Sequence, residues 1–267
     1  MATPVTVSIV VNCFNGADYL RDCLASILAQ SFTSWEVVFI DNCSTDESAA
    51  IARAWPGNLR IVKTERTIPL YAARNIALEA VTGEYVTFLD TDDVWAPGFL
   101  AAMVAKAREG ASFVYCRYEL MTASREPIAS LRTRDPFSRI TLWRLLLHNS
   151  IPVAGVLLRR DLIRSYRFND GMMFLGDYDL WVRLAADDHL PVRVDAVLTF
   201  VRVHGNNISA AWRTRRITEE RQLVRWLLNK CGVTPAILAY WCKRELMNLF
   251  RRTQVFLAAR RAGLSQR

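Results

Sequence analysis

The sequence predicts an α/β protein, an open sheet flanked by helices with a helical appendage at the C-terminal end, and two observations carry the expectation of the sheet. Short apolar runs of strand-forming residues, at Val5 to Val11, Val37 to Ile40 and Tyr85 to Leu89, alternate with segments of helical periodicity. Each run stops abruptly at polar residues, Asn12, Asp41 and Asp90. In open sheets of this class ligands lie outside the carboxyl ends of the strands, so Asn12, Asp41, Asn42, Asp90 and Asp92 are expected to converge on one crevice.

The elements follow in order. Beyond the first strand comes the polar turn Asn12-Cys13-Phe14-Asn15-Gly16, and Tyr19, Leu20, Cys23, Leu24, Ile27 and Leu28 then recur at the spacing of a helix over residues 18–30. The second strand runs into Asp41-Asn42-Cys43-Ser44-Thr45-Asp46, where Ser44 or Thr45 is expected to cap a helix from Asp46 to Ala54. Leu59 to Lys63 supplies a third strand, and a third helix from about Tyr71 to Ala80 leads to the fourth. Further on, the pattern predicts a helix from Phe99 to Arg108, a strand from Phe113 to Tyr118 and a polar, arginine-rich connection from Glu119 to Phe137. An apolar strand from Val153 to Leu158 and a helix from Asp177 to Ala186 complete the main domain.

Charge separates the two parts of the chain. From Arg213 to Arg267 there are 13 Lys and Arg against 3 Glu, whereas the preceding residues carry 21 basic and 23 acidic side chains. A near-neutral body, residues 1–212, with a basic extension, residues 213–267, points to an interaction appendage and away from nucleic acid. Within the extension, Pro235 to Arg260 reads as one long amphipathic helix, which either packs on the main domain or a second copy of the chain, or lies on an anionic membrane. The six cysteines form no C-x-x-C pair and no dense framework, and no apolar run reaches the length of a membrane span. Without a signal-like N-terminus, the chain is expected in the cytoplasm, in peripheral contact at most with the inner membrane face.

The most costly stretch is Phe88-Leu89-Asp90-Thr91-Asp92-Asp93, an apolar run ending in three carboxylates within four residues. Like charges at a strand end repel one another and resist desolvation, which calls for a compensating cation or a solvated cleft. A hard divalent metal, Mn²⁺ or Mg²⁺, held by one or two carboxylates and by substrate phosphates, satisfies that need. The alternative is an Asx-type turn that caps a following helix. Asp177 likewise reads either as a helix N-terminal residue or as a functional carboxylate.

Read together, these stretches resemble the inverting glycosyltransferases of family 2, which have the GT-A nucleotide-sugar-binding fold. The resemblance rests on Val7-Ser8-Ile9-Val10-Val11-Asn12-Cys13-Phe14-Asn15, Asp41-Asn42-Cys43-Ser44-Thr45-Asp46, Ala73-Arg74-Asn75, Gly83 to Asp93, Asp177-Tyr178-Asp179-Leu180-Trp181, and His204 with Ser209. It covers about Val5 to Ser209, and its motifs coincide in order and spacing. Gln222-Leu223-Val224-Arg225-Trp226 matches the letters of a Q-x-x-R-W signature found in polymer-building members, but lies in a charged helical context that marks it as a coincidence.

The resemblance implies a Rossmann-like mixed sheet and a metal-dependent transfer of sugar from a nucleoside diphosphate sugar, a UDP-sugar, to an acceptor hydroxyl in cell-surface polysaccharide or glycolipid synthesis. Asn12, Phe14, Asp41, Asn42, Arg74, Asp90 and Asp92 are implied to hold the donor, and Asp92, Asp93 and His204 the metal. Asp177 is the implied general base, and Asp179 a supporting residue. Asn42 departs from the family, which has a second aspartate there; an amide both donates and accepts, which leaves the base identity open. The implied partners are the donor and a saccharide or lipid-linked acceptor. Two other readings stand beside this one, a nucleotidyltransferase that makes nucleotide sugars and a non-catalytic nucleotide-sugar-binding module. The first lacks its expected Gly-rich phosphate loop after the first strand.

Overall fold

The computed structural model describes residues 6–128, 140–204, 213–235 and 237–245. Its contacts divide the chain into two compact units, Met1–Ala210 and Ala211–Arg267.

The first unit opens with β1 (Val7–Cys13), α1 (Ala17–Leu28), β2 (Trp35–Asp41), α2 (Ser48–Arg53), β3 (Leu59–Lys63), α3 (Leu70–Glu79) and β4 (Tyr85–Asp90). The four strands run parallel in the spatial order β3-β2-β1-β4. Every residue of β1 is buried, and so is all of β4 except Asp90 at its end. Burial on both faces is why these strands read as unbroken apolar runs. Side chains such as Ile9, Val11, Phe39 and Leu89, all 0% exposed, each contribute about 1.5–3 kcal/mol to the core. The chain builds outward from β1 to β3 and then returns to lay β4 on the other side of β1. That reversal opens a crevice at the C-terminal ends of β1 and β4, where the register sets Asn12 opposite Asp90.

The second half adds β5 (Val94–Trp95), α4 (Phe99–Arg108), β6 (Phe113–Met121), α5 (Leu142–Leu147), β7 (Val156–Arg159), α6 (Arg160–Tyr166), α7 (Gly176–Ala186) and β8 (Val192–Arg202). β7 is antiparallel to β4 and β6, β8 is parallel to β6, and β5 is antiparallel to β8 at the sheet edge. The sheet is therefore mixed, as expected. β5, β8, α5 and α6 escaped the sequence reading for physical reasons. Two residues of strand carry no periodicity, and β8 mixes Arg and Asp among its valines, with only Thr199 and Arg202 buried. The apolar run from Val153 is corrected too: Val153–Gly155 forms a 3-10 turn, and the strand begins at Val156. β6 continues to Met121, beyond the expected Tyr118, and the rest of the connection falls partly on residues 129–139, outside the described residues.

In the second unit α8 (Arg213–Cys231) is followed by a helix over residues 237–245. Leu223, Val224 and Leu227 are buried, as are Ile237 and Tyr240. Two ion pairs tie the helices, Arg221 to Glu245 at 2.9 Å and Arg244 to Glu220 at 3.1 Å. The remainder of the helix expected to reach Arg260 lies outside the described residues. Gln222 and Arg225 of the Q-x-x-R-W letters are exposed on α8. No helix among the described residues is long and apolar enough to cross a membrane.

Candidate active site

The loops that leave β1 and β2 are laced together. Backbone N–H groups of Asn15, Gly16 and Ala17 donate to Ser44 Oγ at 3.1 Å, Ser48 Oγ at 3.0 Å and Asp46 Oδ2 at 2.9 Å. In return Asn15 Oδ1 accepts from the Thr45 N–H at 2.8 Å. Asn15 and Cys43 hold φ of 50° and 64°, a left-handed turn that asparagine tolerates through its short polar side chain. This bracing corrects the expected helix cap. Ser44 and Thr45 serve the neighbouring loop, and Asp46 Oδ1 accepts from the Ser48 N–H at 3.0 Å at the start of α2.

On that frame Phe14 is 50% exposed, and Asn12 Oδ1 is buried without a hydrogen-bond partner. A bare aromatic face two residues from an orphaned acceptor suits a planar ligand that can stack and donate. Asp41 is buried and accepts from the Ser44 N–H at 2.9 Å. Asn42 donates to the Ile68 carbonyl at 2.8 Å and accepts from the Ile68 N–H at 3.0 Å and the Thr64 hydroxyl at 3.2 Å. Its amide thus holds the segment that leads into α3.

The Asp93 N–H donates to the Asp90 carbonyl at 3.0 Å and closes a tight turn between β4 and β5. A strand follows, where the turn reading had expected a helix. Gly16 allows the loop after β1 to approach this turn, since a Cβ there would stand 2.6 Å from Thr91 Oγ1. The three carboxylates diverge to three partners. Asp90 pairs with Arg74, which is 2% exposed and lies against the rings of Tyr71, Phe88 and Phe168. Asp92 Oδ2 stands 3.0 Å from His204 Nε2. Asp93, 5% exposed, accepts the Arg202 N–H at 2.9 Å. Burial and the charge of Asp90 push the Asp92 carboxyl above its usual range, and burial together with Asp92 and Asp90 pushes Asp93 well above it.

Asp177 stands on the first turn of α7. The N-cap position belongs to Leu175, and Asp177 Oδ1 accepts from the adjacent Tyr178 N–H at 2.8 Å and from the Tyr71 hydroxyl at 3.2 Å. Burial raises its pKa, against the opposing pull of the Tyr178 N–H, Arg74 and Tyr71. Asp179 is 3% exposed and pairs with Arg183 at 2.8 Å, which in turn donates to the carbonyls of Tyr166 and Arg167. It braces α7. Asn75 beside Arg74 fixes the same neighbourhood by donating to the Phe168 carbonyl at 2.9 Å and accepting the Phe168 N–H at 3.0 Å.

Two residues of this site were missing from the sequence reading. Arg202 is 1% exposed; its Nε donates to the Asp92 carbonyl at 2.8 Å, its Nη2 meets Asp22 at 3.0 Å, and its Nη1 donates to the Ala123 carbonyl. Its guanidinium also covers the Tyr19 ring at 4.6 Å, and that ring lies 4.9 Å from His204. Tyr71 was the other, although its i, i+3 spacing to Arg74 places both on one face of α3, a signal the sequence did contain.

Among the described residues no three His, Cys, Asp or Glu side chains gather closely enough to enclose a metal by themselves. The Asp92 and His204 pair nevertheless fits a hard divalent cation. Donor atoms 3.0 Å apart match neighbouring corners of an octahedron with bonds of about 2.1 Å, and further corners remain for substrate oxygens and water. Burial, first, and the Asp90 charge raise the Asp92 pKa, and a cation would offset both.

The mixed sheet with its crevice at the strand ends is that of a glycosyltransferase of the GT-A fold, and comparison with known proteins agrees. Residues 8–167 match the family Glycosyl transferase family 2, and the chain belongs to it. TuaG of Bacillus subtilis, named for teichuronic acid biosynthesis, is 33% identical over 126 residues, 46% of this chain and 50% of TuaG. The succinoglycan biosynthesis protein ExoU of Rhizobium meliloti is 29% identical over 230 residues, 80% of this chain and 66% of ExoU. WfgD of Escherichia coli, a UDP-Glc:alpha-D-GlcNAc-diphosphoundecaprenol beta-1,3-glucosyltransferase, is 25% identical over 186 residues, 69% of this chain and 71% of WfgD. The match thus spans only half to two thirds of the length of TuaG and ExoU. Among solved structures, S. aureus TarS with UDP-GlcNAc superimposes with a TM-score of 0.74 at 21% identity, covering 91% of this chain and 73% of that one. The mannosyltransferase PcManGT of Pyrobaculum calidifontis, with GDP-Man and Mn²⁺, gives 0.70 at 22% identity over 100% of this chain and 77% of its own. Both show the shared fold.

Proposed function

We propose that this glycosyltransferase moves a sugar from a UDP-sugar to a hydroxyl of a saccharide or lipid-linked acceptor, with inversion, in the synthesis of a cell-surface polysaccharide or glycolipid. The observation that carries the reading is the meeting at one crevice of the Asp92 and His204 pair, the Arg74 and Asp90 pair, and the half-buried Asp177 held by Tyr71. Phe14 stacks on the base, Asn12 Oδ1 takes a hydrogen bond from its edge, and Asp41 and Asn42 shape the pocket. Arg74 and Asp90 line the donor's ribose and diphosphate. Asp92 and His204 would hold Mn²⁺ or Mg²⁺, and Asp93 adds its charge from behind. A cation there would neutralise the charge that develops on the departing diphosphate.

Asp177 takes the proton of the acceptor hydroxyl as its oxygen bonds to the anomeric carbon. The bond from that carbon to the diphosphate oxygen breaks, and the leaving nucleoside diphosphate keeps the electron pair. One displacement inverts the anomeric configuration. The acceptor side is drawn from WfgD, whose named acceptor is lipid-linked. A place at the inner membrane face, through the second unit, accords with Val233, Leu238 and Trp241, which are 73%, 43% and 41% exposed there.

The test is a panel of nucleotide sugars scored by thermal shift with and without Mn²⁺, followed by product analysis. A UDP-sugar that stabilises the protein only with Mn²⁺ and yields UDP is the expected result, and Asp92→Asn should abolish the Mn²⁺-dependent part. Release of pyrophosphate would favour the nucleotidyltransferase, and binding without turnover the non-catalytic module.

A further inference from the structure

We infer that Tyr71 is a positioning residue for the transfer step, its phenolic hydroxyl holding the Asp177 carboxylate by one oxygen so that the other is left for the acceptor's proton. The inference rests on the reading of Asp177 as the base. Tyr71 is 3% exposed on α3, and its hydroxyl donates to Asp177 Oδ1 at 3.2 Å. The same oxygen accepts the Tyr178 N–H, so the side-chain hydrogen bonds of Asp177 among the described residues fall on Oδ1. A carboxylate held in this one-sided way keeps its orientation without losing its proton-accepting atom.

The ring of Tyr71 has little freedom. It stacks on Phe168 with centroids 5.5 Å apart, Arg74 lies 5.4 Å from its centroid, and Gly176 beside Asp177 is the close neighbour on α7. A Cβ at Gly176 would overlap the ring, so the glycine is what permits the hydroxyl to reach Asp177. Burial and the adjacent Asp177 charge hold the phenol well above its ordinary pKa, which keeps it a donor across the working range. The charged and titratable groups around Asp177 are Tyr71 and Arg74 on α3 and Asp90 on β4. Tyr71 and Arg74 favour the ionised carboxylate, whereas Asp90 opposes it.

Tyr71→Phe removes one oxygen and keeps the ring, so it isolates the hydrogen bond. A ¹³C titration of aspartate-labelled protein, with the Asp177 resonance assigned by its loss in Asp177→Asn, reads the carboxyl directly. Loss of a donor to the charged form should raise the Asp177 pKa by about one unit. In the Mn²⁺-dependent release of UDP from UDP-glucose with water as acceptor, turnover at neutral pH should fall roughly tenfold, the acid limb should move to higher pH by the same interval, and donor KM should stay. An unmoved titration overturns the inference, as does a stability loss with the acid limb in place. If Asp177→Asn is inactive while Tyr71→Phe matches wild type, only the role of Tyr71 fails. Full activity in Asp177→Asn would remove the base reading, and this inference with it.

Discussion

The backbone N–H of Arg202 donates to Oδ1 of Asp93 over 2.9 Å, although 109 residues separate them in the chain. Through this bond and the Arg202 guanidinium, the end of β8 grips the turn that follows β4. The same short segment delivers His204 to Asp92. The candidate metal pair therefore depends on two strand ends meeting in register, and Arg202 is the side chain that locks them.

Arg202→Met keeps the aliphatic stem and deletes a guanidinium bonded to the Asp92 and Ala123 carbonyls and to Asp22. The buried guanidinium and its three bonds are lost together, and the expected cost is about 2–4 kcal/mol in a denaturant melt. Mn²⁺-dependent donor binding should weaken as well, because the Asp92 and His204 spacing is no longer fixed. A melt within about 0.5 kcal/mol of wild type would remove Arg202 from this role.

Asp93→Asn should stabilise the metal-free protein at neutral pH. Burial and the charges of Asp92 and Asp90 raise the folded pKa of Asp93, so the folded chain holds a proton that the unfolded chain releases near its ordinary value. That contribution is fully present below the unfolded pKa and is lost as pH rises through the folded one. An asparagine accepts the Arg202 N–H and does not ionise, so the variant's stability should flatten over that window. Melting curves from pH 4 to 8 with chelator present check it, and a variant less stable than wild type at every pH would show that the charge itself supports the fold.

Much of the frame is legible in the sequence because doubly buried parallel strands must be apolar along their whole length. β1, β2 and β4 announce themselves in this way, and Asn12, Asp41 and Asp90 follow as their ends. β8 does not, since a strand with both faces half-buried mixes Val with Arg and Asp and presents neither an apolar run nor a clean alternation. Asp92 and Asp177 stand out as carboxylates where charge is costly. Their partners do not, because Tyr71, His204 and Arg202 reach them from 106 to 112 residues away or across separate elements, and no local pattern encodes such meetings. Asn42 illustrates the converse. Its position at a strand end suggests ligand contact, and beside that its amide holds Thr64 and Ile68, a role its position does not announce.

Gly176→Ala should imitate Tyr71→Phe through packing. The added methyl would overlap the Tyr71 ring, which is wedged against Phe168 and cannot move without disturbing Arg74. Overpacking of this kind costs about 1–3 kcal/mol, and the displaced hydroxyl should leave Asp177. Turnover should drop by roughly tenfold, and donor affinity should fall with it as far as Arg74 shifts with the ring. A crystal structure of the variant with the hydroxyl still on Asp177, and unchanged turnover, would contradict the wedge.

The second unit makes a separate prediction about where the enzyme works. Its helices bury Leu223, Leu227, Ile237 and Tyr240, yet Val233, Leu238 and Trp241 remain exposed among basic residues such as Lys230 and Lys243. Tryptophan and aliphatic side chains beside lysines suit the boundary between lipid headgroups and acyl chains, and anionic lipid adds about 1 kcal/mol for each basic residue near the surface. Vesicles rich in phosphatidylglycerol should sediment the full chain at low salt and release part of it as salt screens the charges. Trp241→Ala should bind more weakly at every salt concentration, because it removes the apolar share of the contact, and a chain ending at residue 212 should stay in the supernatant. If vesicles leave the full chain in solution while light scattering gives twice the monomer mass, the exposed face is the contact between two copies of the chain, and the membrane reading is wrong.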